Sequence, residues 1–319
     1  MPTALLFPGQ GAQRVGMGVD LAERSPGASA ILRRAEAIAD LPLRRLCAEG
    51  PEEALRSTAV AQPALVAVEL AALAALAERI GLDGADFLGA ARALDAGWVA
   101  GHSLGEYAAA VVAGAISLDD GLRLAAARGR LMADATHGTM AAVLGLEAGQ
   151  LEALCRSVEG VDVANDNAPG QVVVSGTHEG VEAVGALARQ AGARRVVPLN
   201  VGGAFHSRLM AEPATRFAAH LEATPIADPA LPIVGNVGAE PISSASALRT
   251  ELRAQIERPV RWRETALRLR AEGAQLAFEC GPGDVLAGLV RRTTPDLAVR
   301  PLGSWADVEA RAAELAESR

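Results

Sequence analysis

The segment Gly101-His-Ser103-Leu-Gly105 carries the most specific chemical pattern in the chain. Ala96–Ala100 before it is a short apolar strand, and an alanine-rich helix is expected from Glu106 to Val112. Gly-x-Ser-x-Gly between a strand and a helix fits a nucleophile elbow, where small residues permit a sharp turn and the helix start favours developing negative charge. An ordinary serine N-cap of that helix is the plainer alternative. An activated serine needs a base. Of the five histidines, His137, His178 and His220 lie in polar surroundings, and His102 adjoins the serine, so its side chain should point away from the hydroxyl. His206, in Val201-Gly-Gly-Ala-Phe-His-Ser207, sits on a glycine-bearing loop that can bring an imidazole to a sheet edge. A surface histidine on a flexible loop is the competing reading. No acidic residue between Ser103 and His206 stands out as a third triad member, which leaves a backbone carbonyl for that place.

Arg128 is singled out by its angle rather than by a motif. Ser117-Leu-Asp-Asp120 fits a capping box, so a helix is predicted from Leu118 to Ala133. At ~100° per residue, Arg128 falls at about 40°, inside an apolar arc bounded by Leu131 at about −20° and Leu122 at about 160°. Arg123 and Arg130 project to the opposite, solvent side. A guanidinium among apolar neighbours needs a counter-ion. Its planar fork suits a carboxylate from outside, through two parallel hydrogen bonds. An internal ion pair, or a stem reaching to the surface, satisfies the same requirement, and the residues alone leave the choice open.

Composition removes several other chemistries. All thirty basic residues are Arg, so Schiff-base lysine chemistry and a Walker-type phosphate lysine are excluded. A net charge of −8 and 3% aromatic residues offer neither a basic field for phosphate backbones nor a surface for stacking bases. Gly9-x-Gly11 lacks the third glycine of a dinucleotide fingerprint, and no histidines or cysteines have metal-ligand spacing. Cys47, Cys155 and Cys280 are odd in number and far apart, which suggests a reducing compartment, with Cys280 a small core residue at a strand end. Met1–Phe7 is a short apolar run stopped by Pro8-Gly9 and does not read as a leader, and no uncharged apolar stretch approaches the ~18 residues of a membrane span. No membrane or nucleic acid is expected as a partner, and the default is a cytoplasmic monomer.

Two α/β units must position these residues. Strands are predicted at Thr3–Phe7, Ala96–Ala100, Leu231–Val237 and Leu276–Glu279, with helices at Pro63–Arg79, Ala247–Glu257, after Pro259 and from Asp284. The last fifteen residues read as a polar helix or a loose tail. Between them the rhythm changes. Met140–Leu144, Val161–Ala164, Gln171–Val174 and Arg195–Leu199 read as strands, with helices at Glu147–Cys155 and Glu179–Ala191. Asn165–Gly170 reads as a dense turn cluster joining two of those strands. The order β-α-β-β-α-β is that of a ferredoxin-like module. The expected organisation is a discontinuous large α/β domain, residues 1–135 and 202–319, with a mostly parallel central sheet and a small domain, 136–201, inserted into it.

Together these pieces resemble the malonyl-CoA:acyl-carrier-protein transacylases and the related acyltransferase domains of fatty-acid and polyketide synthases. The matching segments are Phe7-Pro-Gly-Gln-Gly-Ala-Gln13, Gly101-His-Ser-Leu-Gly-Glu-Tyr107, Ala127-Arg-Gly-Arg-Leu-Met132, Gly203-Ala-Phe-His206, Pro259-Val-Arg-Trp262 and Glu279-Cys-Gly-Pro-Gly283. They span nearly the whole chain. The resemblance implies a hydrolase-like large domain with a ferredoxin-like insert, Ser103 as acylated nucleophile and His206 as its base. It implies that Arg128 holds the free carboxylate of a malonyl group and that the backbone N–H groups of Gln10 and Leu104 form an oxyanion hole. A backbone carbonyl near Gln255 would orient the histidine. Malonyl-selective members of the family carry His-Ala-Phe-His where this chain has Gly203-Ala-Phe-His206; the retained Phe205 would disfavour a methyl branch.

The implied reaction is a ping-pong transfer from malonyl-CoA, a substrate, to the phosphopantetheine thiol of an acyl carrier protein, with no cofactor. A malonate decarboxylase subunit or a trans-acting polyketide acyltransferase would share that chemistry, and a serine thioesterase would share Ser103 and His206. Because the chain itself is acidic, docking of a commonly acidic carrier would rely on a local basic patch, for which Arg194, Arg195, Arg208, Arg291 and Arg292 are candidates.

Overall fold

The computed structural model describes residues 2–317 of the 319-residue chain. Ten strands form, in chain order: β1 (Thr3–Phe7), β2 (Ala96–Gly101), β3 (Thr139–Leu144), β4 (Val161–Ala168), β5 (Gln171–Gly176), β6 (Arg195–Pro198), β7 (Ile233–Val234), β8 (Pro241–Ile242), β9 (Leu276–Cys280) and β10 (Ala298–Leu302). Every residue of β1 is buried, as suits an unbroken apolar run in the interior of a parallel sheet. It pairs in parallel with β2 on one side and β9 on the other. The six-stranded main sheet has the order β10-β9-β1-β2-β7-β8, parallel throughout except for the β7–β8 pair at one edge. The expected mostly parallel central sheet is therefore present.

Two features of this sheet depart from the sequence reading. The strand expected over Leu231–Val237 shrinks to Ile233–Val234. Beyond it the backbone N–H of Asn236 is taken by the Glu106 carboxylate at 2.8 Å, and that of Gly235 by the Glu240 carbonyl. Strand β10 went unassigned. Arg300 and Pro301 break its apolar pattern, which is tolerable because β10 is an edge strand and largely exposed.

The second sheet has the order β4-β5-β3-β6, antiparallel at every pairing, with helices Ala148–Arg156 and His178–Gln190 completing the β-α-β-β-α-β order. Val143, Val161, Val172, Val174, Leu151 and Val184 form its own core. The supposed turn cluster is mostly strand. β4 runs on through Asn165, Asp166 and Asn167 with two bulges, leaving Pro169-Gly170 to turn the chain. The reason is a partner distant in sequence: Val260 donates to the Ala164 carbonyl at 2.8 Å and accepts from the Asp166 N–H at 2.9 Å. That pairing stitches the second sheet to the main body.

Helix Thr58–Arg79 runs through the interior, buried along nearly its whole length. Its most apolar 18-residue window has a mean hydropathy of 1.9 and is 89% buried. A stretch long and apolar enough to cross a membrane does therefore exist, interrupted by Glu69, and the fold uses it as a core helix. Helix Leu118–Asp134 packs against it, starting at Ser117, whose Oγ accepts from the Asp120 N–H at 3.1 Å. Gly129 permits the close approach, since a Cβ there would stand 3.0 Å from the Thr58 carbonyl oxygen. The polar C-terminal segment is helical over Trp305–Glu317.

Candidate active site

Strand β2 ends at Gly101 and the next helix, Gly105–Val112, begins four residues later. Ser103 lies between them at φ 50°, the left-handed conformation of a nucleophile elbow. The two glycines are sterically required: a Cβ on Gly101 would overlap the backbone of Gly105 and Glu106, and one on Gly105 would overlap the Phe7 carbonyl. The strained turn is fastened on both sides. The Ser103 N–H donates to Asn236 Oδ1 at 2.6 Å, and its carbonyl accepts from Gln255 Nε2 at 2.9 Å.

Ser103 Oγ lies 2.8 Å from His206 Nε2. His206 is also left-handed, at φ 58°, and its N–H is held by the Ile256 carbonyl. Nδ1 faces the carbonyl oxygen of Gln255 at 2.7 Å and that of Arg258 at 3.2 Å, so no carboxylate orients the ring. Two acceptors at Nδ1 fix the tautomer with Nε2 free to take a proton from the serine. Burial, reinforced by the nearby Arg128 cation, lowers the His206 pKa to about 3, which keeps the imidazole neutral.

Arg128 is 1% exposed, as its helical angle predicted, while Arg123 and Arg130 are exposed. Its Nη2 donates to Ser103 Oγ at 2.9 Å and to Gln255 Oε1 at 2.7 Å. The guanidinium carbon sits 5.7 Å from the centre of the Tyr107 ring, a cation–π stack. Among the described residues no carboxylate comes within ion-pair distance, and Nε has no hydrogen-bond partner. Of the three choices left open by the sequence, the internal ion pair and the solvent-facing stem are absent among the described residues. Burial lowers the Arg128 pKa, opposed by Tyr107 and Glu106.

These groups face a cavity of about 160 Å³ that Gln10, Gln62, His102, Met132, Met140, Asn165, Asn167 and Phe205 also line. A larger, open groove of about 490 Å³, bordered by Arg156, Asp162, Arg208 and Arg258, reaches His206 but touches neither Ser103 nor Arg128. The smaller cavity joins Ser103, His206 and Arg128. Phe205 packs over Gly203, where a Cβ would stand 2.9 Å from the ring. The backbone N–H groups of Gln10 and Leu104 find no internal acceptor among the described residues. His102 turns its Nε2 to Asn167 Oδ1 at 2.8 Å rather than to Ser103, while still lining the cavity.

Residues 4–306 match the acyl transferase domain family. The chain belongs to that family. It is 41% identical over 308 residues to the malonyl CoA-acyl carrier protein transacylase of Synechocystis, covering 97% of this chain and 99% of the relative. Among solved structures it resembles the acyl-carrier-protein S-malonyltransferase of Bartonella henselae, with a TM-score of 0.91 and 37% identity over 99% of this chain and all of that one. It also resembles a malonyl-transacylase solved in complex with its type II PKS acyl-carrier protein, with a TM-score of 0.90, 35% identity, and 98% and 100% coverage.

Within this acyl transferase domain, four site residues had escaped the sequence reading. Asn165 and Asn167 were hidden in the supposed turn, and only the distant pairing with Val260 brings them to the cavity. Asn236 lay inside the overlong strand. Glu106 was given no role beyond opening the helix; it is 1% exposed and accepts from Asn236 and Gln255. Its place next to Gly105, inside the segment Gly101–Tyr107 that carries the family resemblance, was the available signal.

Proposed function

We propose that the chain moves a malonyl group from malonyl-CoA to the phosphopantetheine thiol of an acyl carrier protein through a malonyl ester on Ser103. One observation carries the reading: a buried guanidinium without a carboxylate partner, 2.9 Å from a hydroxyl that a neutral imidazole also touches. A substrate that ends in a free carboxylate completes that arrangement, and a thioester carbonyl on the far side of a single methylene meets the serine.

In the first half-reaction Ser103 Oγ bonds to the thioester carbonyl carbon while its proton passes to His206 Nε2. The carbonyl oxygen becomes an oxyanion, for which the N–H groups of Gln10 and Leu104 are the donors. Collapse breaks the C–S bond, and the departing CoA thiolate takes the proton from His206. The carrier thiol then repeats the sequence in reverse, giving up its proton to His206 as it attacks the ester. Arg128 holds the malonyl carboxylate through both halves, with Gln255 supporting the guanidinium. Phe205 closes the cavity wall against a branch on the acyl chain. The chemistry needs no cofactor, and the three buried, unpaired cysteines accord with a reducing, cytoplasmic setting.

Of the arginines considered for carrier docking, Arg208 is paired with Asp162, and Arg292 is tied to Gln171 and the Pro169 carbonyl. Arg194, Arg195 and Arg291 are exposed and form no ion pair among the described residues, so the reading assigns the carrier to them. Whether the carrier serves fatty-acid or polyketide synthesis, or malonate decarboxylation, is a property of the partner.

The test is intact-protein mass spectrometry after mixing with malonyl-CoA. The wild-type chain is expected to gain one malonyl group at Ser103, Ser103→Ala to gain none, and added holo-carrier protein to remove the label faster than water does. An adduct on Ser103→Ala, or hydrolysis outrunning transfer, would overturn the reading.

A further inference from the structure

The site lacks an acid next to its histidine, yet it has one underneath. Glu106 is buried in the first turn of the helix that follows the elbow. Its Oε1 accepts from both nitrogens of Asn236, backbone N and Nδ2, each at 2.8 Å. Its Oε2 accepts from Gln255 Nε2 at 2.8 Å. Those two amides in turn hold every reacting group. Asn236 secures the Ser103 N–H and the Gly101 carbonyl, at 2.6 and 2.7 Å. Gln255 supports Arg128 through Oε1, the Ser103 carbonyl through Nε2, and His206 through its own backbone oxygen.

We propose that Glu106 is a positioning residue: its carboxyl sets the orientation of the Asn236 and Gln255 amides, and through them holds Ser103, His206 and Arg128 in register. The proposal rests on the transacylase reading. An amide end can face either way, and only a group that accepts on both of its oxygens specifies both amides at once. With Gln255 so fixed, Oε1 must face Arg128. Were that amide reversed, an NH2 group would meet the guanidinium and the cation would lose its acceptor. Glu251 lies beside Glu106: burial, and then the Glu251 charge, raises the Glu106 pKa well above its ordinary value, while burial raises that of Glu251 against the lowering effect of its hydrogen bonds to Val237, Asn236 and Glu106. A protonated oxygen still has a lone pair for Gln255, so the orienting function survives in either state.

Glu106→Gln isolates this role because it keeps size and burial but supplies only one accepting oxygen. The Asn236 nitrogens claim that oxygen, and the new NH2 group forces the Gln255 amide to reverse. Single-turnover acylation by malonyl-CoA and by acetyl-CoA is measured on one preparation, so that any unfolded fraction cancels in their ratio. The expected result is a fall of at least thirtyfold in malonyl acylation and a fall of at least tenfold in the malonyl-to-acetyl ratio. Glu106→Asp, which retains two accepting oxygens, is expected to recover at least tenfold of the malonyl rate. An unchanged ratio overturns the proposal, whether both rates stay at the wild-type level or fall together, since a merely structural role would not discriminate between acyl groups. Failure of the wild-type chain to take up malonyl at all would instead reject the transacylase reading.

Discussion

Ser103 and His206 both occupy left-handed backbone conformations that ordinarily cost a non-glycine residue roughly 1–3 kcal/mol. Both are locked there by hydrogen bonds to their N–H groups, so the strain is spent on aiming Oγ and Nε2 at one another. The His206 imidazole is tuned by the same surroundings. A histidine whose folded pKa of about 3 lies below its ordinary 6.5 destabilises the fold as pH drops below about 6.5, because the unfolded chain binds the proton that the folded one refuses. For the proposed reaction the consequence is favourable, since the free enzyme keeps His206 unprotonated well into acid. The kcat/KM for malonyl acylation, which reports the free enzyme, is expected to stay level within about twofold from pH 8 to about pH 5. A decline centred near pH 6.5 would show that the imidazole titrates normally. As candidates, Ser103 was legible from motif spacing, His206 from its glycine-bearing loop and Arg128 from helical angle. Asn236 was not, because nothing local to it marks it as a partner of a serine 133 positions away.

Elements were legible where their signals were local. Strand β1, the elbow and the capped helix of Arg128 follow from apolar runs, glycines and a capping box. β4 defied its own composition, because Asn and Asp favour turns until a distant residue, Val260, supplies pairing. The core helix Thr58–Arg79 poses a different problem. Glu69 at its centre is fully buried, and neither carboxyl oxygen has a hydrogen-bond partner. Burial, with Glu279 close by, raises its pKa well above the ordinary value of 4.5. The folded chain therefore retains a proton that the unfolded chain releases above about pH 4.5, and stability is lost as pH rises through that range. Replacing Glu69 by Leu removes the unpaired polar group and is expected to stabilise the fold by roughly 1–3 kcal/mol near neutral pH. The gain should be smaller at pH 5 than at pH 8. Urea unfolding at both values checks this, and an equal or absent gain would contradict it.

At the scale of the molecule the site belongs to a seam. Ser103 follows strand β2, Arg128 sits on the helix Leu118–Asp134 and His206 on a loop beyond β6, while Met140, Asn165, Asn167 and Val173 of the second sheet close the cavity over them. That the chain builds two separate sheets was readable from the change in rhythm near Thr136, where a β-α-β-β-α-β order interrupts the larger α/β body. How they meet was not, because the junction depends on Val260 pairing with β4 and on Arg292 reaching Gln171 and Pro169. The outcome is a small polar chamber with a positive charge at one end and an activated hydroxyl beside it, which is what distinguishes a short diacid thioester from a neutral one. Arg128→Ala tests that distinction most directly. Initial rates of Ser103 acylation by malonyl-CoA and acetyl-CoA would be compared in the variant and the wild type. Loss of two charge-assisted hydrogen bonds should slow malonyl loading by roughly a hundredfold or more while leaving acetyl loading within a few-fold of wild type. An equal loss for both acyl groups would contradict the account, because Arg128 would then serve the serine and not the substrate's carboxylate.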